Sequence, residues 1–192
     1  MQGLTSFKVN LDPAAEHVPY TPDFDVRTIV RASGVARKYG LGPNGALVKS
    51  VEIVVEKLGL VVEPIEKSNA DYVLIDTPGQ MEVFIFRELS TKLLREVLRI
   101  TPRVMALFVV DAELIKRYED YAFVSLMGIA LQARLGIDVV PVLNKVDLAS
   151  DVTKLVGDGV RDFDKLAAAL SGRGAYRELL VSKHPRNRQA LR

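Results

Sequence analysis

Apolar residues in this chain gather into short unbroken runs, separated by longer stretches of helical period. The runs 72–75, 104–110 and 139–143 are rich in Val and Ile and nearly all apolar, and 7–11 is apolar at alternate positions. Strands of a parallel sheet covered on both faces have that character. Helices are expected between them. Asp25 is placed to cap one beginning DVRTIV, and the residues from there to Gly40 keep a helical pattern dotted with arginine and lysine. Leu47, Val51, Val54 and Leu58 step by four, three and four, which puts them on one face of another helix. A third starts near Met81. A fourth covers 121–135 before Gly136 ends it, and the next strand then returns parallel to the last. This rhythm predicts an α/β fold with a doubly wound, mainly parallel sheet.

Composition narrows the class. A chain of 192 residues with 48% hydrophobic content buries one sizeable core, so 1–192 is expected to form a single domain. With no cysteine and only two histidines, far apart in sequence, neither a disulfide framework nor a zinc site is expected, which argues for the cytoplasm. The N-terminal MQGLTSFK has no apolar core of signal-peptide length, and runs such as VMALFVV are too short to span a bilayer, so no membrane is expected. A net charge of +2, with basic residues scattered beside acidic ones, argues against direct nucleic-acid binding. The basic tail 183–192 reads as a solvated terminus.

In doubly wound sheets ligands bind at the carboxyl ends of the strands. After YVLI comes DTPGQ, Asp76 to Gln80. An aspartate there can hold magnesium through a water, the Gly79 N–H can approach a terminal phosphate with no Cβ in the way, and Gln80 can orient a water. The plainer reading is a strand-to-helix turn, with Asp as cap and Gly for the bend. After VVPVL comes NKVD, Asn144 to Asp147. The Asp147 carboxylate can accept both the N1–H and the exocyclic amine of guanine, a pairing that adenine lacks. Asn144 can bond the base or brace the neighbouring loop, and Lys145 can lay its methylene stem on the purine face. An Asn/Asp turn closing a strand is the alternative. NLD, Asn10 to Asp12, puts another carboxylate at a strand end, where Asp before Pro also serves as a turn former. Glu82 reads as a first-turn acid complementing a helix dipole or as a second group on an attacking water.

The stretch YGLGPNGALVKS, Tyr39 to Ser50, has glycines at phosphate-loop spacing, but Ala46 and Leu47 stand where Lys and Ser/Thr belong. Its context is helix, loop, helix. Pro43 stiffens the turn, Asn44 can point an amide outward, and the N–H groups that follow suit an anion or simply begin a capped helix.

The pieces VNLDPA at 9–14, DVR at 25–27, GLGPNGALVKS at 40–50, DYVLIDTPGQME at 71–82 and LNKVDL at 143–148 together resemble the GPN-loop GTPases. The resemblance implies a P-loop NTPase-like fold related to signal recognition GTPases and MinD-like ATPases, GTP or GDP with Mg2+ as ligands, and a homodimer. It implies Asp12 and Asp76 near magnesium, Gln80 and Glu82 around the attacking water, and Asn144 and Asp147 on guanine. Gly42, Pro43 and Asn44 would be inserted into the partner's site. RNA polymerase assembly factors enter as partners by family analogy alone. The family carries G-x-x-x-x-G-K-[ST] ahead of the NLD strand, and these 192 residues do not contain it. LLVSK at 179–183 lacks the Ala of the family's base-contacting S-A-K turn. The expectation is therefore an incomplete GTPase domain, truncated at the N-terminus and the C-terminus, with the GPN-loop insertion around 40–50. Two functions compete: a GTP-hydrolysing homodimer, and a nucleotide-free or weakly binding pseudoenzyme that serves as an assembly module. The joint presence of Asp76, Gln80, Asn144 and Asp147 favours the first, and NKVD conflicts with a MinD-type ATPase.

Overall fold

The computed structural model describes residues 3–85 and 87–149, with Tyr118 described through its backbone alone. The LLVSK turn at 179–183 and the basic tail at 183–192 lie outside these residues. The chain divides into two compact units, Met1–Val104 and Met105–Arg192.

The first unit runs through β1 (Ser6–Asn10), β2 (Phe24–Asp25), a 3-10 turn (Val26–Thr28), α1 (Ala32–Tyr39), α2 (Pro43–Glu56), α3 (Leu58–Glu66), β3 (Tyr72–Asp76), α4 (Met81–Ile85) and α5 (Glu88–Ile100). Its three strands are all parallel, in the order β2-β1-β3. The helical spacing read from the sequence builds the core: Leu47, Val51 and Val54 on α2 meet Leu89, Leu93 and Val97 on α5, with Val9 and Leu11 from the sheet side. Each such side chain, fully buried, contributes about 1.5–3 kcal/mol. Leu58 falls beyond the end of α2 and opens α3, partly buried against the same core.

The expected helix at DVRTIV is instead a two-residue strand followed by a single 3-10 turn. Asp25 does cap, accepting the Arg27 N–H at 2.9 Å. The Thr28 hydroxyl, however, donates to the Asp25 carbonyl at 2.7 Å, and the Ala32 N–H goes out to the Pro13 carbonyl. Local side-chain bonding of this kind competes with a helical ladder. α1 begins only afterwards, and Gly40 ends it in the left-handed conformation, φ 64°. β3 also departs from the two-sided burial expected of it. Tyr72 and Leu74 on one face are 56% and 55% exposed, and Val73 on the other is 37% exposed; β3 stands at the edge of this sheet, and the buried core is built mainly from β1 and the helices.

The second unit contributes β4 (Met105–Asp111), a 3-10 turn (Ala112–Leu114), α6 (Tyr118–Leu135), β5 (Asp138–Asn144) and a 3-10 turn (Val146–Leu148). β4 and β5 pair in parallel from Met105↔Asp138 to Asp111↔Asn144. Parallel neighbours require a crossover, and α6 supplies it. The Asp120 carboxylate accepts the Arg117 N–H at the start of α6, and Gly136 closes its end at φ 69°. No helix among the described residues is long and apolar enough to cross a membrane.

Candidate functional site

Parallel pairing of β1 with β3 brings two of the candidate carboxylates to one end of the first unit's sheet. Asn10 lies opposite Asp76, and the Leu11 N–H donates to the Asp76 carbonyl at 2.8 Å, so Asp12 follows directly past the same strand tips. The turn is locked from inside. Asn10 is fully buried; its Oδ1 accepts the Asp12 N–H at 3.0 Å and its Nδ2 donates to Asp25 Oδ1 at 3.1 Å. Arg27 grips the Asp25 carboxylate through Nε and Nη2, and donates Nη1 to the Ala15 carbonyl at 3.0 Å and the Glu16 carbonyl at 3.3 Å. Burial pushes the Asp25 carboxyl up, but the Arg27 guanidinium, the Arg27 N–H and the Asn10 amide outweigh it and hold the group below its ordinary value. Beyond the lock, Asp12 Oδ1 accepts the Ala14 N–H at 2.8 Å, and the Tyr20 phenol donates to Asp76 Oδ2 at 2.8 Å.

The residues after β3 lie beside the start of α2. Pro78 is buried and anchors the bend, while a Cβ on Gly79 would meet nothing within 4 Å, so its backbone is approachable. Gln80 Nε2 donates to Asn44 Oδ1 of the same chain at 3.4 Å, a long contact. Asn44, Val48, Gln80, Glu82, Val83 and Arg87 line a cleft of about 390 Å³. Gly42 and Pro43 occupy the cap and first position of α2, as their residue types favour. Glu82 sits in the first turn of α4, which suits the dipole reading and also borders the cleft.

In the second unit, Asn144 is the last residue of β5, and Lys145 turns the chain with φ 57° and ψ 37°. It is the one non-glycine residue at positive φ among those described. Lys145 Nζ donates to Asp111 Oδ2 at 2.7 Å, from the tip of β5 to the tip of β4. That bond raises the lysine's pKa; together with the Glu113 N–H it holds the Asp111 carboxyl low. Lys145, whose stem is expected on the purine face, thus has its ammonium tied to a neighbouring carboxylate. Asn144 and Asp147 are both exposed, Asp147 within the 3-10 turn.

Sequence reasoning missed Tyr20 and Asp111. Asp111 was findable, since it ends the run MALFVV just as Asp76 ends YVLI. Tyr20 carries no local signal; its partner is 56 residues away.

A family model described as a conserved hypothetical ATP binding protein matches residues 1–192. The chain is 42% identical over 149 residues to the GPN-loop GTPase PAB0955 of Pyrococcus abyssi, an alignment covering 76% of this chain and 58% of that protein. It is 30% identical over 177 residues to GPN-loop GTPase 1 of Dictyostelium discoideum, covering 90% and 43%, and 31% identical over 180 residues to GPN-loop GTPase QQT2 of Arabidopsis thaliana, covering 92% and 46%. The chain therefore spans about half the length of these relatives. The crystal structure of PAB0955 in its apo form superposes with a TM-score of 0.80 at 35% identity, covering 94% of this chain and 72% of that one. The α/β architecture with parallel sheets is common to both.

Proposed function

The chain belongs to the family of GPN-loop GTPases, and on that premise we propose that it binds and hydrolyses GTP as a magnesium-dependent homodimer. The observation that carries this reading is the parallel register that sets Asp76 beside the Asp12 turn. Two carboxylates at adjacent strand tips supply hard oxygen donors, in the number magnesium takes alongside phosphate oxygens and retained waters. Bound there, magnesium would neutralise charge developing on the phosphates.

The chain's own residues divide the remaining work. Asp76 holds a water of the metal, Asp12 stands next to it, and the open Gly79 N–H donates to the terminal phosphate. Gln80, with Glu82 nearby, orients the attacking water. Gly42, Pro43 and Asn44 reach the partner's site, where the Asn44 amide addresses the phosphate or its water. At the tip of β5, Asp147 selects guanine and Asn144 steadies the base or its loop. This assignment favours GTP over the ATP in the family model's description, because adenine lacks the two donors that the Asp147 carboxylate accepts from guanine.

Subunit mixing tests the proposal. Asn44→Ala and Asp76→Ala proteins, each inactive alone, are combined under conditions shown to exchange subunits, and GTP hydrolysis is followed. Partial return of activity is expected, because one site of the heterodimer pairs Asp76 of one chain with Asn44 of the other. Exchange without recovery would remove the action in trans. A wild-type protein that neither binds nor hydrolyses GTP would instead favour the assembly-module reading.

A further inference from the structure

We propose that Tyr20 is a positioning residue that leaves one Asp76 oxygen free to serve magnesium or its water and so selects magnesium over calcium. The inference rests on the reading of Asp76 as a group that serves magnesium. Its observation is separate from that reading: the Tyr20 hydroxyl donates to Asp76 Oδ2 at 2.8 Å, from a segment no local pattern connects to β3.

That segment is fixed at both ends. On one side, Arg27 binds the carbonyls of Ala15 and Glu16. On the other, the Asp23 N–H donates to the Lys8 carbonyl and the Lys8 N–H returns to Asp23 Oδ2, both at 2.8 Å. Pro19 and Pro22 flank the tyrosine and fix two φ angles of the short path between these anchors. The phenol is delivered to the carboxylate by a braced strap. The phenol hydroxyl is the donor in this contact, and the carboxylate oxygen accepts.

The consequence follows from ligand geometry. Calcium takes six to eight oxygens and accepts carboxylates in bidentate fashion, whereas magnesium requires a tight octahedron, keeps several waters and takes one oxygen from each carboxylate. With Oδ2 already accepting the phenol's hydrogen bond, Oδ1 is the oxygen that accepts none among the described residues, and a cation that takes both oxygens has to compete with the phenol for Oδ2. One oxygen suits magnesium or its water. Calcium gains the second oxygen that its larger shell would use only at the expense of the phenol's bond.

The test is calorimetric titration of Mg2+ and of Ca2+ into the GDP complex of the full chain, wild type and Tyr20→Phe. The ratio of calcium to magnesium affinity should move toward calcium by about tenfold in Tyr20→Phe. A residue that merely packs would weaken both ions together and leave the ratio alone. Asp76→Asn separates this inference from its premise. If Asp76→Asn leaves both affinities unchanged, the magnesium reading of Asp76 has failed. If it weakens magnesium while the ratio in Tyr20→Phe stays within about twofold of wild type, the role of Tyr20 is overturned. Should Tyr20→Phe not fold, wild type alone decides: weaker calcium than magnesium is expected, and tighter calcium would overturn the proposal.

Discussion

At the tips of β1 and β3 the chain is shaped by side chains drawn from several segments, whereas at the tip of β5 it is shaped by its own backbone. Around Asp12 and Asp76, Asn10, Asp25, Arg27 and Tyr20 bond one another or the carboxylates' turn, and no buried side-chain polar atom among the described residues lacks a partner. At the tip of β5, one residue in a left-handed conformation and one exposed ion pair set the turn. The difference fits the roles proposed for the two places. Carboxylates that gather round a metal and phosphates have to be fixed before the ligand arrives, because every reorganising charge weakens binding. A base-reading carboxylate is specified by its two hydrogen bonds and needs only to be presented. A network also fails differently from a turn: taking one member from the first orphans the others, while the second loses only itself.

The largest expected effect is on the network. In Asp25→Ala, Arg27 and Asn10 lose their common partner, and the Arg27 and Asp25 side chains are only 14% and 17% exposed. The melting temperature should fall on the order of 5–10 °C, measured by calorimetry. A fall no greater than that of Lys145→Ala would erase the distinction between the two tips. Next is Asp147→Asn, which leaves folding intact but reverses hydrogen-bond polarity toward the base. Preference should swing from guanine to xanthine nucleotides by roughly tenfold to a hundredfold in competition binding, and an unchanged preference would take guanine selection away from NKVD.

Acid sharpens the contrast further. The folded pKa of Asp25 is lowered, so its contribution is whole above the ordinary carboxylate value of about 4 and is lost as the pH falls through the depressed folded value. Melting temperatures measured from neutral to acid pH should therefore decline more steeply in wild type than in Asp25→Asn below about pH 4. The smallest effect is at Lys145→Gly. Glycine relieves the left-handed backbone while deleting an exposed ion pair, and the two changes oppose each other. The melting temperature should move by about 2 °C or less, and a collapse would show that the β5 turn depends on its side chain after all.

What the sequence disclosed follows the range of the forces involved. The tips of β3 and β5 were legible because an unbroken apolar run ends abruptly in DTPGQ or NKVD, and α2 because Leu47, Val51 and Val54 keep helical spacing. β2 was not, since Phe24–Asp25 becomes a strand only by pairing with Val9 and Asn10. The end of the DVRTIV helix was hidden for the same reason. The Asp25 carboxylate is claimed by Asn10 and the Arg27 guanidinium, and the Ala32 N–H, which a continuing helix would give to Thr28, goes to the Pro13 carbonyl. Tyr20 lay furthest from view, because neither of its prolines points to Asp76.

The strand register also has a kinetic consequence. Thr5 and Asp71, which bond across the start of the β1–β3 pair, are 66 residues apart, whereas Lys145 and Asp111, which bridge the ends of β4 and β5, are 34 apart. Doubling a closed loop adds about 0.6 kcal/mol of entropy cost, before any helices formed within it are counted. The shorter pairing, already spanned by the local contacts of α6, is the one that chain topology favours to form first, with the NKVD turn complete at its tip. The carboxylates of β1 and β3 come into register only when the longer loop closes, so the capacity to gather charge is assembled last.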